Sequence, residues 1–288
     1  MVSTRSTKRR SRSPVAKTVE SRPTKVARKR KQASKRPVKS FKDVKAVLLD
    51  IEGTICPITF VKDTLFPYAL KALPDVLASK WDDPTFVSYR DAFPEPAASS
   101  PEAFEAHVRD LTERDVKIAY LKNLQGYLWE NGYQTHVYST PVYPDVLSFL
   151  EMWSSPTTSG VGNDASKEIS IYSSGSIFAQ KLLFQHIKDP SSPDDPEAVL
   201  DKRDIIKAWF DTTNAGLKQE ASSYAKIAAE LGKDPKEILF LSDNVNEVRA
   251  AIHAGMKAAV VDRPGNAPLS DTERDEFEVL ESFEQIEL

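Results

Sequence analysis

Ala46-Val-Leu-Leu-Asp-Ile-Glu-Gly-Thr54 is an apolar run that stops abruptly at two carboxylates one residue apart, then a glycine and a threonine. An unbroken run of this kind reads as a strand buried on both faces of a parallel sheet. Reactive groups on such sheets gather just beyond the carboxyl ends of the strands, which puts Asp50 and Glu52 where a site is expected. Residues two apart along an extended chain face the same way. Two carboxylates converging on one point repel each other unless a cation or a shared proton intervenes. A hard divalent ion with oxygen ligands is the simplest remedy; the bland alternative is an acidic turn after a strand.

Working outward, Lys45–Leu49 is the first strand, and Ile169–Tyr172, Trp209–Asp211, Ile238–Leu241 and Lys257–Val261 follow the same pattern. Helical periodicity runs through Pro144–Trp153, Ile177–Gln185, Glu220–Leu231 and Val245–Ala254. Strands alternating with helices predict an α/β fold, a parallel sheet with helices on both faces. Between the first two strands, Asp63–Ser79 and Pro101–Asn131 read as helices. In the second, Leu111, Ile118, Leu121, Leu124, Leu128 and Trp129 recur at helical spacing, the mark of core packing. Residues 63–140 are too long for a simple crossover and read as an inserted helical subdomain. The expected division is a tail over 1–43, a core over 44–62 and 141–288, and the helical insertion between. Two polar stretches, 154–167 and 188–202, read as surface loops.

The net charge of −3 over 288 residues hides an asymmetry. Residues 1–40 hold 15 Lys and Arg against Glu20 alone, about +14, and the remainder has 24 basic and 41 acidic residues, net −17. The tail is poor in apolar residues and is expected to be disordered. Its clusters Arg28-Lys-Arg-Lys31 and Lys35-Arg36 fit a nuclear address or a polyanion patch, and the composition also fits a transit peptide or a solvated tail. A cytoplasmic and nuclear protein is the expectation. The acidic body disfavours nucleic acid on its own surface, leaving the tail as the one candidate contact, which would be salt-sensitive. Cys56 is the only cysteine, so no intrachain disulfide can form. No apolar stretch is long enough to span a bilayer, and a monomer is expected.

Three further strand ends carry chemistry. Ile171-Tyr-Ser-Ser-Gly-Ser176 precedes a helix, and hydroxyls with free N–H groups at a helix start can cradle a phosphate; a plain helix cap is the structural alternative. Gly216-Leu-Lys218 brings a lysine that could neutralise phosphate as a point charge. Phe240-Leu-Ser-Asp243 is a second apolar strand ending in a carboxylate. Glu247, one turn into the next helix, could bond a metal-held water or simply favour the helix dipole. Together these suggest phosphoryl transfer: Asp50 as nucleophile, a divalent cation between Asp50 and Asp243, Glu52 as general acid and base, and Ser173, Ser174 and Lys218 on the phosphoryl oxygens.

At these residues the chain resembles the haloacid dehalogenase-like phosphatases and, more closely, the enolase-phosphatases of methionine salvage. The resemblance rests on Leu48-Leu-Asp-Ile-Glu-Gly-Thr54, Phe60-Val-Lys-Asp-Thr-Leu-Phe-Pro-Tyr68, Leu121-Lys-Asn-Leu-Gln-Gly-Tyr-Leu-Trp129, Ile171–Ser176, Ala179-Gln-Lys-Leu-Leu-Phe184, Phe240–Asp243 and Arg263-Pro-Gly-Asn266. It implies a Rossmann-like core with a helical cap, one Mg²⁺ per chain, and enolisation followed by dephosphorylation of 2,3-diketo-5-methylthiopentyl 1-phosphate. It assigns Mg²⁺ to Asp50, Glu52 (through its backbone carbonyl) and Asp243, and substrate phosphate to Ser173, Ser174 and Lys218. The run around Lys218 matches the family only loosely. A generic phosphomonoesterase and a metal-independent dehalogenase share the core motifs.

Overall fold

Ala46–Leu49 forms strand β2, and all four side chains are buried. Their burial splits by parity: Val47 and Leu49 belong to one hydrophobic core, Ala46 and Leu48 to another. That is the period-2 alternation of a strand covered on both faces. The computed structural model describes residues 1–2, 37–154 and 168–288. The tail's basic clusters at 28–31 and 35–36, and the polar stretch 155–167, lie outside the described residues.

The central sheet has six parallel strands in the order β6-β3-β2-β7-β8-β9, with β3 at Glu168–Tyr172, β6 at Ile206–Phe210, β7 at Ile238–Ser242, β8 at Lys257–Val261 and β9 at Val279–Leu280. β2 pairs with β3 on one side and β7 on the other, so the chain reverses its direction of travel across the sheet there. The crevice at such a switch point is where α/β sheets bind ligands. β3 starts one residue earlier than expected, β7 ends one later and β2 starts one later, while the expected Trp209–Asp211 overlaps only the last two residues of a longer β6, Asp211 lying just beyond it.

One core face carries Val47, Leu49, Ile169, Ile171, Leu239 and Leu241 against the helices of the first half. The opposite face carries Leu48, Tyr172, Phe240 and Val260 against α9 (Ala221–Leu231) and α10 (Val245–His253). Helix α8 spans Ile177–Gln185, as expected from the sequence, and α7 spans Pro144–Ser154.

The helical stretch after β2 begins at Ile58, earlier than the expected 63. It opens with α1 (Ile58–Phe60), passes through a five-residue π-helical turn at Val61–Leu65 and continues as α2 (Phe66–Lys80). Two short helices, α3 (Pro84–Arg90) and α4 (Glu95–Ala98), were not foreseen. The single helix expected over Pro101–Asn131 is two, α5 (Pro101–Glu113) and α6 (Ala119–Gln134). Asp115 takes a left-handed φ of 52° at the break, and the Val116 N–H closes back on Leu111 O at 2.9 Å. Asp tolerates that conformation better than most residues. Leu111 and Ile118 are seven residues apart, so the apolar period resumes in phase and conceals the break.

Residues 37–43 were read with the tail but belong to the fold. Lys39–Ser40 (β1) pairs in parallel with Ile286–Glu287 (β10), and Phe41 is buried. The polar stretch 188–202 also holds order, because β4 (Ile187–Lys188) and β5 (Val199–Leu200) form an antiparallel pair. Among the described residues no helix is long and apolar enough to cross a membrane.

Phe104 on α5 anchors the packing of the helical stretch, fully buried with ring centroids 4.4 Å from Phe93, 5.8 Å from Trp81 and 5.9 Å from Phe86. Phe104→Ala is expected to lower stability by about 3–5 kcal/mol, read as a reduced midpoint in urea unfolding followed by circular dichroism.

Candidate active site

Four strand ends converge. Asp50 follows β2 directly, and its backbone N–H donates to Leu241 O at 2.9 Å. Lys218, in the loop after β6, places its Nζ 2.5 Å from Asp50 Oδ1 and 2.6 Å from Glu247 Oε2. All three side chains are nearly excluded from water. Ser242, the last residue of β7, has one hydroxyl proton and two acceptors in reach: Glu247 Oε2 at 2.8 Å and Asp50 Oδ2 at 3.3 Å. The shorter bond takes the proton, which leaves Asp50 Oδ2 the less constrained oxygen of the two. Glu247 is therefore the counter-charge of Lys218, a role not foreseen for it, while its place in the first turn of the helix Val245–His253 is as expected. Tyr224 donates to Lys218 O at 2.7 Å and Tyr172 to Gly216 O at 2.8 Å. These bonds fix the lysine loop against the sheet.

Asp243 sits on the other side of the β2 loop. Its backbone N–H donates to Thr54 Oγ1 at 3.0 Å, and its carboxylate accepts no hydrogen bond from a described residue. Gly53 separates it from Asn266. With φ at +70°, a Cβ on Gly53 would stand 2.5 Å from Asp243 Oδ2 and 2.8 Å from Asn266 Oδ1, so the position requires glycine. Asn266 Nδ2 donates to Gly53 O at 2.9 Å and Val261 O at 3.1 Å. Buried Arg263 ties the same loop to the rest of the fold: its guanidinium lies 4.5 Å from the Tyr143 ring centroid and bonds Asp145 at 2.8 Å.

The charge balance is lopsided. Asp50, Glu52, Asp243 and Glu247 gather around one buried ammonium. Burial, then the Asp50 charge, holds the Glu52 carboxyl up at about 7. Burial, then Asp50 and Glu247, holds Asp243 up at about 7. Burial also raises Glu247, against the pull of Lys218. For Lys218 burial works toward neutrality, but the two carboxylates outweigh it and the net shift is upward. Oxygen donors with surplus negative charge suit a hard divalent cation. No three His, Cys, Asp or Glu side chains form a ready-made cage among the described residues. A cation here would draw on the Asp50 and Asp243 carboxylates and on main-chain oxygen, and the unbonded Asp243 carboxylate fits that use.

Glu52, Ser173 and Ser174 line a cavity of about 480 Å³ whose lining does not include Asp50, Lys218 or Asp243. Its other walls come from α2, the π turn, α5, α6 and α8: Val61, Leu65, Phe66, Leu111, Leu121, Trp129 and Leu183 form an apolar half. The loop before α8 was expected to offer several free N–H groups. It offers fewer, because Ile177 N–H donates to Asp211 Oδ2, Ala179 N–H to Ser176 Oγ and Gly175 N–H to Ser173 Oγ. The Ser174 N–H and hydroxyl remain without a partner among the described residues.

The haloacid dehalogenase-like hydrolase family matches residues 44–255. Over 242 residues the chain is 54% identical to the enolase-phosphatase E1 of Verticillium alfalfae, covering 84% of this chain and 88% of that protein. The chain belongs to the enolase-phosphatase E1 family. The family's protein from Podospora anserina is 53% identical over 244 residues, 84% of this chain and 97% of its own length. Among solved structures, the UTR4 protein of Saccharomyces cerevisiae superposes with a TM-score of 0.71 at 38% identity, covering 84% of this chain and 99% of that one.

Sequence reasoning missed three kinds of participant in this enolase-phosphatase site. Ser242 precedes a residue that was singled out, but a strand-end serine gives no signal by itself. Asn266 and Arg263 were noted only as part of a matching stretch. Lys122, on α6, was likewise noted only inside the matching stretch Leu121–Trp129, and it reaches Ser174 O at 2.7 Å.

Two outcomes follow from this geometry. Gly53→Ala is expected to lower phosphatase activity by about 10²-fold, since small displacements of reacting groups cost that much; steady-state phosphate release measures it. The raised Glu52 and Asp243 carboxyls are protonated in the folded state at pH values where the unfolded chain is ionised. Their contribution is fully present below the unfolded carboxyl range and is lost as pH rises through about 7. Thermal unfolding midpoints of the metal-free chain should fall from pH 5 to pH 8, and added Mg²⁺ should raise the midpoint more at pH 8.

Proposed function

We propose that this chain is a bifunctional enolase-phosphatase that converts 2,3-diketo-5-methylthiopentyl 1-phosphate to the acireductone and inorganic phosphate in methionine salvage. One observation carries the reading from geometry: a phosphoryl-transfer cluster at the sheet's switch point adjoins a cavity with an apolar half, and Glu52 belongs to both. A carboxyl poised near neutrality would also serve a plain phosphomonoesterase as the acid for its leaving group, so it is the apolar half of the cavity that favours the diketone substrate. Membership of the enolase-phosphatase E1 family supports the same conclusion.

In this reading Glu52 acts first. A carboxyl held near 7 is suited to proton transfer at neutral pH. It removes a proton from the phosphorylated carbon, whose C–H is acidified by the adjacent diketone, and the enolate oxygen takes its proton from solvent, a proton returned when water later hydrolyses the aspartyl phosphate. Asp50 then attacks phosphorus through its less constrained oxygen, and the bond from phosphorus to the enol oxygen breaks. Glu52 returns its proton to that departing oxygen, and water hydrolyses the aspartyl phosphate. Lys218 holds the other Asp50 oxygen and orients the nucleophile, with one N–H left for a phosphoryl oxygen. Ser173 and the unpartnered Ser174 N–H and hydroxyl receive the remaining oxygens. Mg²⁺, one per chain and held by Asp50, Asp243 and the Glu52 carbonyl, would neutralise the repulsion between anionic nucleophile and anionic substrate.

The test is product analysis on the diketone phosphate, by ultraviolet absorbance for the enol and by phosphate release, with and without Mg²⁺. Phosphate release with no enol at any time would leave only a plain phosphomonoesterase. Asp50→Asn is expected to cut phosphate release by about 10³-fold or more while the phosphorylated enol accumulates. Glu52→Gln is expected to stop the enol from forming, and normal accumulation in that variant would remove Glu52 as the base.

A further inference from the structure

Enolisation needs a second group besides the base. As the proton leaves the phosphorylated carbon, the C–H pair becomes the new carbon–carbon double bond. The adjacent carbonyl's π pair moves onto its oxygen, which later takes up a proton to give the enol. Something must meet the negative charge growing on that oxygen. Lys218 is poorly placed for this, because its ammonium is already more than balanced by Asp50 and Glu247, at 2.5 and 2.6 Å.

Lys122 differs on each count. It lines the same cavity as Glu52. Its Nζ donates to Ser174 O at 2.7 Å and, more weakly, to Thr212 Oγ1 at 3.4 Å. Both acceptors are neutral and no described residue forms an ion pair with it; Asp211 and Glu52 act on its charge only from longer range, and one N–H is unspent. Lys117, on the same cavity, is exposed and already lies 3.7 Å from Asp115; Lys62 is exposed to water. The bond to Ser174 also fixes where the ammonium stands: beside the loop that receives the phosphoryl group. The carbonyl oxygen in question is four bonds from phosphorus, so a substrate whose phosphate rests on Ser173 and Ser174 brings that oxygen near Lys122. Burial, with Lys117 nearby, lowers the Lys122 ammonium from its ordinary range, which strengthens it as a hydrogen-bond donor.

We propose that Lys122 is the electrophilic group of the enolisation step, donating its unspent N–H to the carbonyl oxygen next to the phosphorylated carbon. This rests on the enolase-phosphatase reading and adds a residue to it. Lys122 acts on the first step and contributes little to phosphoryl transfer.

The test compares wild type, K122M and K122R on two substrates with Mg²⁺ present: the diketone phosphate and p-nitrophenyl phosphate, which cannot enolise. K122M should lose about 10²-fold in kcat/KM on the diketone, the scale of removing one oxyanion donor, and far less on p-nitrophenyl phosphate. K122R should recover part of the loss. Deuterium at the phosphorylated carbon should slow K122M more than wild type, because proton removal has become limiting. Equal losses on both substrates would overturn the proposal in favour of a phosphate-binding or packing role. An undiminished rate on the diketone would overturn it outright. If wild type itself releases phosphate with no enol, the parent reading fails, and this one with it.

Discussion

Lys218 is the one buried ammonium among four carboxylates, and much of the site's arrangement follows from it. Breaking a buried ion pair costs several kcal/mol because it strands a charge away from water. The loop carrying Lys218 is accordingly held by two tyrosines, and its second partner Glu247 by Ser242. The result is a rigid Asp50 carboxylate with one oxygen tied and the other less constrained. One positive charge does not balance four negative ones. The surplus appears as carboxyls pushed toward neutrality, and it gives the family's use of a divalent cation a physical basis in these residues.

The helices between β2 and β3 supply what the sheet cannot. Strand ends offer charge and hydrogen bonds but little apolar surface. The π turn at Val61–Leu65 and helices α2, α5 and α6 bring leucines, a phenylalanine and a tryptophan over the same crevice. π turns are uncommon and recur near functional sites; here one turns Val61, Lys62 and Leu65 into the cavity. Apolar surface from the helices and buried charge from the strand ends thus meet at Glu52.

The sheet was legible because its central strands are buried on both faces and therefore read as unbroken apolar runs. Asp50 and Asp243 were legible because each ends such a run. Ser173, Ser174 and Lys218 lie on loops that follow strands, and the topology brings them to the same end of the sheet. What escaped reading had no local signal. β1 and β10 are two residues each, and their pairing joins positions nearly 250 apart in the chain. The break at Asp115 is invisible to a period that resumes in phase. Glu247 looked like an ordinary first-turn acid because its partner, Lys218, is distant in sequence. Lys122 was one residue inside a matching helical stretch, since only the folded chain shows that it reaches Ser174 O and lines the cavity with Glu52.

The pairing of Lys39–Ser40 with Ile286–Glu287 bears on how the chain is made. The first strand of the fold cannot find its neighbour until residue 287 has left the ribosome. β2, at the centre of the sheet, likewise waits for β3 and then for β7. An apolar strand that will end fully buried therefore spends most of synthesis without its partners, and long-range parallel pairing of this kind is slow to form and open to aggregation.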